Sequence, residues 1–240
     1  MVAGPGSGTD PPGCPRRPGS PGTSHPAGWM HTAESTNVSV GIHRLVLLRH
    51  GETEWSKSGR HTSRTDLDLT DVGREQALAA ADTLAGLDLD SPMVFCSPRL
   101  RARRTAELAG LAVNEITGLL AEWDYGDYEG LTTQQIRTAN PGWLLWTHGC
   151  TGGESVQQVS DRADDAIGLA LDQLTDRDVV FVGHGHFSRA VLTRWVEQPL
   201  DQGIRYGFPT ASVSVCGFDY GLRQLKALAL AGRPQTGVTP

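Results

Sequence analysis

Two histidines of this 240-residue chain directly follow apolar runs that are typical of buried strands. His50 comes after residues 45–49, Leu-Val-Leu-Leu-Arg, and His184 comes after residues 179–183, Val-Val-Phe-Val-Gly. Such runs indicate a parallel sheet, whose sites lie beyond the carboxyl ends of the strands. An imidazole can attack phosphorus, and a guanidinium such as that of Arg49 can hold phosphate oxygens in a bidentate fork. The pattern therefore indicates phosphoryl transfer, whereas an isolated Arg-His pair would simply end a strand in water.

Two further segments carry the charged groups that such chemistry needs. Residues 96–106, Cys-Ser-Pro-Arg-Leu-Arg-Ala-Arg-Arg-Thr-Ala, follow another strand candidate and open a helix whose N-terminus favours anions. Residues 120–130 are acidic, and a partly buried carboxyl group there can hold the proton that a departing alkoxide requires. The alternatives are solvated arginines in the first segment and a surface loop in the second.

The motif Arg-His-Gly-Glu-Thr at residues 49–53 resembles the signature of the histidine phosphatase superfamily, and in particular its acid phosphatase branch. The resemblance covers residues 44–219, with Ser-x-x-x-Arg-Ala-x-x-Thr at 97–105, Glu-x-x-Tyr-Gly at 122–126 and a second histidine at His184. It implies the phosphoglycerate mutase-like fold, an α/β three-layer sandwich with a mostly parallel central sheet and helices on both faces.

The resemblance also implies a role for each matched residue. His50 would be the nucleophile that forms phosphohistidine, and Glu122 would protonate the leaving oxygen. Arg49, Arg101 and His184 would hold the phosphoryl oxygens, and neither a metal nor another cofactor is expected. Further substrate-binding candidates at the mouth of the site are Ser56, Thr62, Tyr125 and His186, of which the last stands where the mutases carry Asn.

The two strand-end histidines are expected in opposite protonation states. His50 has to be unprotonated at the attacking nitrogen, whereas His184 binds phosphoryl oxygens best when it is protonated. Two histidines with opposed requirements predict a bell-shaped dependence of activity on pH.

The interval between Glu122 and His184 distinguishes hydrolysis from mutase chemistry. The mutases carry a long basic insertion there, whereas this chain has only Arg137, Arg162 and Arg177. A mutase has to keep the phosphoenzyme from water, so we predict a phosphomonoesterase that is most active below neutral pH. The alternatives are a cofactor-dependent phosphoglycerate mutase-type phosphotransferase and a non-catalytic phospho-ligand binding module of the same fold.

Two apolar or glycine-rich segments of this interval bear on specificity. Residues 143–146, Trp-Leu-Leu-Trp, are expected either in the core, which we favour, or as an apolar lid over the leaving group. The glycine-rich loop at 152–155 is expected to shape selectivity.

Composition restricts the partners of the chain. A net charge of −6 argues against nucleic acid and anionic membranes, and no run of 18 apolar residues predicts a membrane span. The four cysteines show no metal-ligand spacing, which fits a reducing, cytoplasmic location. A small phosphorylated substrate is therefore the expected partner, and a homodimer could form through an outer strand at residues 213–216.

The remaining pattern predicts one α/β domain over residues 41–231. Strand candidates are 44–48, 93–96, 179–182, 213–218 and 225–230, and helix candidates are the segment that Thr70 caps, 99–110, 134–139, 154–174 and 187–196. Residues 1–40, rich in Gly, Pro, Ser and Thr, predict a disordered extension, with Met30 as the natural start. Residues 232–240 predict a flexible tail.

Overall fold

The computed structural model describes residues 43–232, together with Met1 and Gly4. Apart from those two residues, the predicted extension over residues 1–40 and its start at Met30 lie outside the described residues. The same holds for all of the predicted tail at 232–240 except its first residue.

Six strands form one sheet: β1 (Leu45–Arg49), β2 (Met93–Cys96), β3 (Glu115–Ile116), β4 (Val179–Gly183), β5 (Val213–Asp219) and β6 (Leu222–Leu230). Their order is β3-β2-β4-β1-β5-β6. Strands β1 to β4 are parallel, and β5 is antiparallel to both of its neighbours, so the predicted mostly parallel sheet is confirmed. The prediction of an outer strand at 213–216 is wrong, because β5 lies between β1 and β6.

Within residues 43–232, seven α-helices connect these strands: α1 (Glu54–Lys57), α2 (Asp71–Ala85), α3 (Leu100–Leu108), α4 (Thr133–Ala139), α5 (Leu145–His148), α6 (Val156–Gln173) and α7 (Gly185–Trp195). Short 3₁₀ helices span Gly118–Leu120, Gly126–Tyr128 and Leu200–Arg205. Thr70 caps α2 as predicted, and α6 begins at Val156 because the Ser155 side chain caps it. None of the helices within residues 43–232 has the length and apolar character needed to cross a membrane.

Alternate residues of the central strands pack against helices on opposite faces of the sheet. Leu45 and Leu47 lie in a buried cluster with residues of α6 and α7, whereas Val46 and Leu48 lie in another cluster with residues of α2 and α3. Burial of such a side chain contributes roughly 1.5–3 kcal/mol each. The strands are therefore apolar on both faces, as their continuous apolar runs predict, and the three-layer sandwich is confirmed.

The register of the sheet brings the two strand-end histidines together. Arg49 of β1 lies opposite Gly183 of β4, so the next residue of each strand is a histidine. The His50 N–H donates to the Gly183 carbonyl at 2.9 Å, which extends the ladder by one residue. On the far side of β4, the Ser97 N–H donates to the Val182 carbonyl at 2.9 Å. The carboxyl ends of β1, β2 and β4 therefore form one edge, where the candidate site lies.

Candidate active site

The imidazole of His50 is held in the tautomer that nucleophilic attack requires. Its Nδ1 lies 2.7 Å from the Gly51 carbonyl oxygen, which can only accept, so Nδ1 carries the proton and Nε2 is free. Burial, followed by the charges of Arg101 and Arg49, holds the pKa of His50 well below its ordinary value. The side chain is therefore neutral at physiological pH, and its attacking nitrogen is available.

Backbone contacts fix the turn that carries this histidine. The Gly51 N–H donates to Thr105 Oγ1 of α3 at 2.9 Å, and the His50 carbonyl accepts from Ala211 at 3.0 Å. A Cβ on Gly51 would lie 2.2 Å from the Gly73 carbonyl oxygen of α2, closer than any side chain allows. The glycine of the Arg-His-Gly motif is therefore required by direct backbone packing against α2.

Two guanidinium groups lie beside His50, and both are only partly satisfied. Arg101, with no exposed surface, donates from its two Nη atoms to the Thr65 and Thr62 carbonyls, both at 3.1 Å. Arg49 donates from Nη1 to the Phe208 carbonyl at 2.5 Å. Within the described residues, the buried Nε of each has no hydrogen-bond partner, and burial lowers the pKa of both groups. Each therefore retains a donor for an anion.

The other arginines of the segment 96–106 differ in their exposure to solvent. Arg103 and Arg104 are exposed, as the alternative of solvated helix residues predicts. Arg99 is only half-exposed, and its buried Nε also lacks a partner among the described residues.

His184 lies against His50 with a ring-centroid distance of 5.2 Å and an interplanar angle of 62°. Its Nε2 is 2.7 Å from Ser97 Oγ, and its buried Nδ1 has no partner within the described part of the chain. Burial, then Arg101, His50 and Arg49, keep the pKa of His184 well below its ordinary value. The prediction of a protonated His184 is therefore wrong for the unliganded site, and the bell-shaped profile loses its basis in two opposed histidines.

Glu122 is a buried group of the site, so the surface-loop alternative is wrong for this residue. Its Oε1 accepts from the backbone N–H groups of Trp123 at 2.9 Å and Phe187 at 2.8 Å, and its Oε2 accepts from His186 at 3.1 Å. The last two donors belong to the first turn of α7. These bonds fix the carboxyl group on the wall of the cavity that His50 also lines.

A cavity of ≈ 420 Å³ opens above His50, a volume suited to a small organic phosphate. The predicted residues that line it are Arg49, His50, Ser56, Thr62, Glu122, Tyr125 and His186. Arg101 and His184 are fully buried and lie behind this wall. The structure therefore brings all nine predicted side chains to one region, seven on the surface of the cavity and two beneath it.

Sequence reasoning missed several residues of the cavity wall: Arg60, His61, Thr133, Arg189, Tyr206 and the segment 207–209. His61 stacks on His186 with ring centroids 5.9 Å apart and an interplanar angle of 9°, and Tyr125 Oη lies 2.6 Å from His186 Nδ1. Arg189 follows His186 by three residues in a helical segment, a spacing that places both on one face and could have identified it.

The apolar residues at 143–146 belong to the core, as favoured, and the alternative of an apolar lid is wrong. Trp143 and Trp146 are 5% and 2% exposed, and neither lines the cavity. Trp146 instead packs behind the wall, 5.7 Å from the His186 ring and 4.6 Å from the Arg189 guanidinium. These two tryptophans therefore supply no apolar surface for a leaving group.

The loop at 152–155 also supports the site from behind and does not line the cavity. Glu154 forms a bidentate pair with Arg162 at 2.8 and 2.7 Å, and Arg162 donates to the Leu119 and Ala121 carbonyls, both at 2.8 Å. Glu154 also accepts from the Asp124 N–H at 2.8 Å. The predicted selectivity loop therefore orders the segment that carries Glu122.

Comparison with known proteins places this site in a family. The family model of the histidine phosphatase superfamily (branch 1) matches residues 45–230. An acid phosphatase of Mycobacterium tuberculosis is 64% identical over 198 residues, which cover 82% of this chain and 98% of the relative. A sedoheptulose 1,7-bisphosphatase of Saccharomyces cerevisiae is 34% identical over 181 residues, 63% of this chain and 67% of the relative.

A solved structure of an open reading frame product from Mycobacterium tuberculosis has the same fold. It is 63% identical, superposes with a TM-score of 0.79, and the match covers 80% of this chain and 100% of that chain. The chain belongs to the histidine phosphatase superfamily, branch 1.

Proposed function

We propose that the chain hydrolyses small phosphate monoesters through a phosphohistidine on His50. The observation that carries this proposal is a neutral, buried histidine surrounded by buried nitrogen atoms that lack partners within the described residues: Arg49 Nε, Arg101 Nε and His184 Nδ1. Buried polar groups without partners are costly unless a ligand satisfies them. The three oxygens of a phosphoryl group supply acceptors of the right charge.

In the first step of the proposed mechanism, the substrate phosphoryl group is bound by Arg49, Arg101 and His184. His50 Nε2 attacks phosphorus in line, the N–P bond forms and the P–O bond to the leaving group breaks. The leaving oxygen takes the electron pair of that bond and a proton from the Glu122 carboxyl group. The two guanidinium groups supply the positive charge that Mg²⁺ supplies to other phosphoryl transfers.

In the second step, water attacks the phosphorus of phosphohistidine. The Glu122 carboxylate, left unprotonated by the first step, accepts a proton from this water. The P–N bond breaks, its electron pair returns to His50 Nε2, and inorganic phosphate leaves. Enzyme and protonated Glu122 are regenerated, so one water is consumed for each ester that is cleaved.

The contacts of the basic residues between Glu122 and His184 favour hydrolysis over transfer between substrates. Arg137 donates from Nε to the Trp143 carbonyl at 2.8 Å, and Arg162 pairs with Glu154, so neither reaches the cavity. No basic insertion therefore covers the phosphorylated histidine against water. The similar proteins of Mycobacterium tuberculosis and Saccharomyces cerevisiae are an acid phosphatase and a bisphosphatase, which agrees with this proposal.

The proposal is tested by steady-state hydrolysis of p-nitrophenyl phosphate and by mutase and phosphatase assays with 3-phosphoglycerate. His50→Ala is expected to lower kcat by about 10⁴-fold or more, since the nucleophile is lost. His148→Ala, which removes an exposed histidine outside the cavity, is the matched control and should retain wild-type kcat.

Trapping distinguishes the covalent intermediate from direct attack by water. An acid-labile, base-stable phosphoryl group on the wild-type protein, absent from His50→Ala, is the expected result. Hydrolysis by His50→Ala at the wild-type rate would overturn the mechanism. Mutase turnover well above hydrolysis would overturn the reaction class.

A further inference from the structure

The cavity carries more positive charge than one phosphate monoester requires. Arg49 and Arg101 already lie beside His50, where the phosphoryl group binds in the proposed mechanism. Arg60 and Arg189 add two guanidinium groups to the wall, and Glu122 is the only acid among the described residues that line the cavity. The wall therefore contains cations that the phosphoryl site does not use.

Arg189 is fixed in position while its terminal nitrogens are left free. Its Nε donates to the Gly203 carbonyl at 2.9 Å, and its guanidinium lies 4.6 Å from the centroid of the Trp146 ring. Gly203 packs directly against the Trp146 ring, since a Cβ at this position would lie 2.2 Å from the ring. Within residues 43–232, neither Nη atom of Arg189 donates a hydrogen bond or approaches a carboxylate as an ion pair. The group is held ready to donate into the cavity.

Within residues 43–232, seven of the thirteen arginines that do not line the cavity are compensated by an ion pair. Those that form an ion pair with a carboxylate are Arg44, Arg64, Arg74, Arg104, Arg162, Arg194 and Arg223. Arg189 is half-buried, and burial lowers its pKa although the charge of Glu122 opposes this shift. No carboxylate forms an ion pair with it in the described part of the chain. A cation that is desolvated and unpaired destabilises the fold unless an anion binds to it.

Arg60 extends this charge to the mouth of the cavity. Its side chain is exposed, and its guanidinium lies 6.0 Å from the centroid of the Trp55 ring. Tyr206, whose hydroxyl makes no hydrogen bond within the described residues, also lines the wall. These side chains are donors, so the outer part of the cavity is suited to an anion as well.

We infer that the cavity contains a second anion subsite, formed by Arg189 with Arg60 at the mouth, and that the substrate carries a second anionic group, a phosphate or a carboxylate. The inference rests on the proposed function, because it takes the groups around His50 as the site of the phosphoryl group that is cleaved. It predicts that sugar bisphosphates or phosphorylated acids are better substrates than esters of neutral alcohols.

The subsite is tested with phosphonates, which bind without being cleaved. We compare alkylphosphonates, α,ω-bisphosphonates and ω-phosphonocarboxylates with chains of two to five carbons, by calorimetry and by inhibition of p-nitrophenyl phosphate hydrolysis. At the best length, a compound with two anionic groups should bind the wild type at least about tenfold more tightly than the alkylphosphonate. The ratio of bisphosphonate to phosphonocarboxylate affinity distinguishes phosphate from carboxylate.

Variants locate the second anion. Arg189→Met, which keeps an apolar side chain against Trp146, should reduce the tenfold preference to about twofold or less, and Arg60→Met should reduce it partially. Arg194→Met is the matched control, since it removes an arginine of the same helix that pairs with Asp164 outside the cavity, and it should leave the preference unchanged.

The outcomes separate this inference from the proposed function. Equal binding of one-anion and two-anion compounds by the wild type at every chain length would overturn the subsite, even if p-nitrophenyl phosphate is hydrolysed. Retention of the full preference in both Arg189→Met and Arg60→Met would also overturn it. Tight, Arg189-dependent binding of bisphosphonates by a chain that cleaves no ester would instead overturn only the proposed function.

Discussion

The buried polar groups at the two ends of strands β1 and β4 differ in whether they have hydrogen-bond partners. At the amino ends, the buried carboxylate of Asp178 accepts from the Arg44 backbone N–H at 2.6 Å, from Arg44 Nη2 at 2.9 Å and from the Asp90 N–H at 2.9 Å. At the carboxyl ends, the buried Nε of Arg49 and the buried Nδ1 of His184 have no partner within the described residues. One end is internally satisfied, and the other leaves donors unpaired.

This difference separates stability from function within the same pair of strands. A buried carboxylate whose hydrogen bonds are complete, paired with the partly exposed Arg44, fixes the register in which β1 and β4 begin. Buried donors without acceptors weaken the fold, and they persist where a ligand completes them. The amino end is therefore expected to control the free energy of unfolding, and the carboxyl end to control activity.

The largest expected effect comes from removing a charge at the carboxyl end. Arg49→Met should lower kcat/KM for p-nitrophenyl phosphate by about 10²–10³-fold, because one donor to the phosphoryl oxygens is lost. The free energy of unfolding in urea should stay the same or rise, since an incompletely paired buried cation is removed. Arg103→Met, which changes an exposed arginine, should alter neither quantity. A clear loss of stability in Arg49→Met would mean that its bond to the Phe208 carbonyl is structural.

The converse change at the amino end should reduce stability and leave catalysis intact. Asp178→Ala is expected to lower the free energy of unfolding by about 3 kcal/mol, because Arg44 loses its buried partner. The value of kcat/KM per folded molecule should be unchanged. Asp164→Ala, which breaks the exposed pair with Arg194, should cost only about 0.5 kcal/mol. If the two aspartate variants lose equal stability, the contrast between the ends is wrong.

Binding of a phosphate analogue should supply acceptors to the unpaired donors at the carboxyl ends of β1 and β4. It should therefore stabilise the fold and reduce the difference between the two ends. Vanadate at about one hundred times its Kd should raise the free energy of unfolding by about 2.7 kcal/mol. The same concentration should stabilise Arg49→Met far less, because its affinity is weaker, whereas Asp178→Ala should keep the full increase. Thermal or urea unfolding with and without vanadate measures both gains. Equal stabilisation of Arg49→Met and the wild type would place the bound anion away from the strand ends.

The two ends of the strands also differ in the pH range in which they lose stability. Burial keeps the pKa values of His50 and His184 well below the ordinary value near 6.5, so the unfolded chain binds more protons below that pH and stability falls. For Asp178, burial alone would raise the pKa, but hydrogen bonds from Arg44 and Asp90 lower it on balance. Its contribution is therefore present above the ordinary carboxyl range and is lost only at more acidic pH.

Urea unfolding between pH 7 and 5 measures this separation. Each histidine whose pKa is well below its ordinary value should cost the wild type about 1 kcal/mol for each pH unit below 6.5, and His50→Asn should lose about 1 kcal/mol less per pH unit than the wild type. Activity should fall less in the same range, since burial keeps the pKa of His50 well below its ordinary value. An unfolding free energy that does not change between pH 7 and 5 would contradict the burial of two neutral histidines.

The sequence predicts the strand-end residues well, because a motif and the strand that precedes it are local. Arg49 and His50 follow β1, His184 follows β4, and the parallel sheet then brings them together. The protonation of His184 could not be predicted, because it depends on burial and on guanidinium groups from distant segments. The place of β5 inside the sheet depends on strand pairing, which an apolar run does not specify.

The missed cavity residues have the same cause. Arg60 and Arg189 are far apart in the chain, and each alone is typical of a surface arginine. Only the tertiary structure shows that both line one wall and that Arg189 has no carboxylate partner among the described residues. Counting basic residues between Glu122 and His184 therefore underestimates the positive charge of the cavity.

The contact between Gly51 and Gly73 has a consequence for variation at these positions. A Cβ on Gly73 would lie 2.1 Å from the Glu52 carbonyl oxygen, and one on Gly51 would lie 2.2 Å from the Gly73 oxygen. Any side chain at either position would displace the turn that carries His50 from α2. In a saturation screen for activity, both glycines would tolerate no replacement and would be scored with the catalytic residues. The reason would be the close contact between two backbone segments, and not a role of either glycine in the reaction.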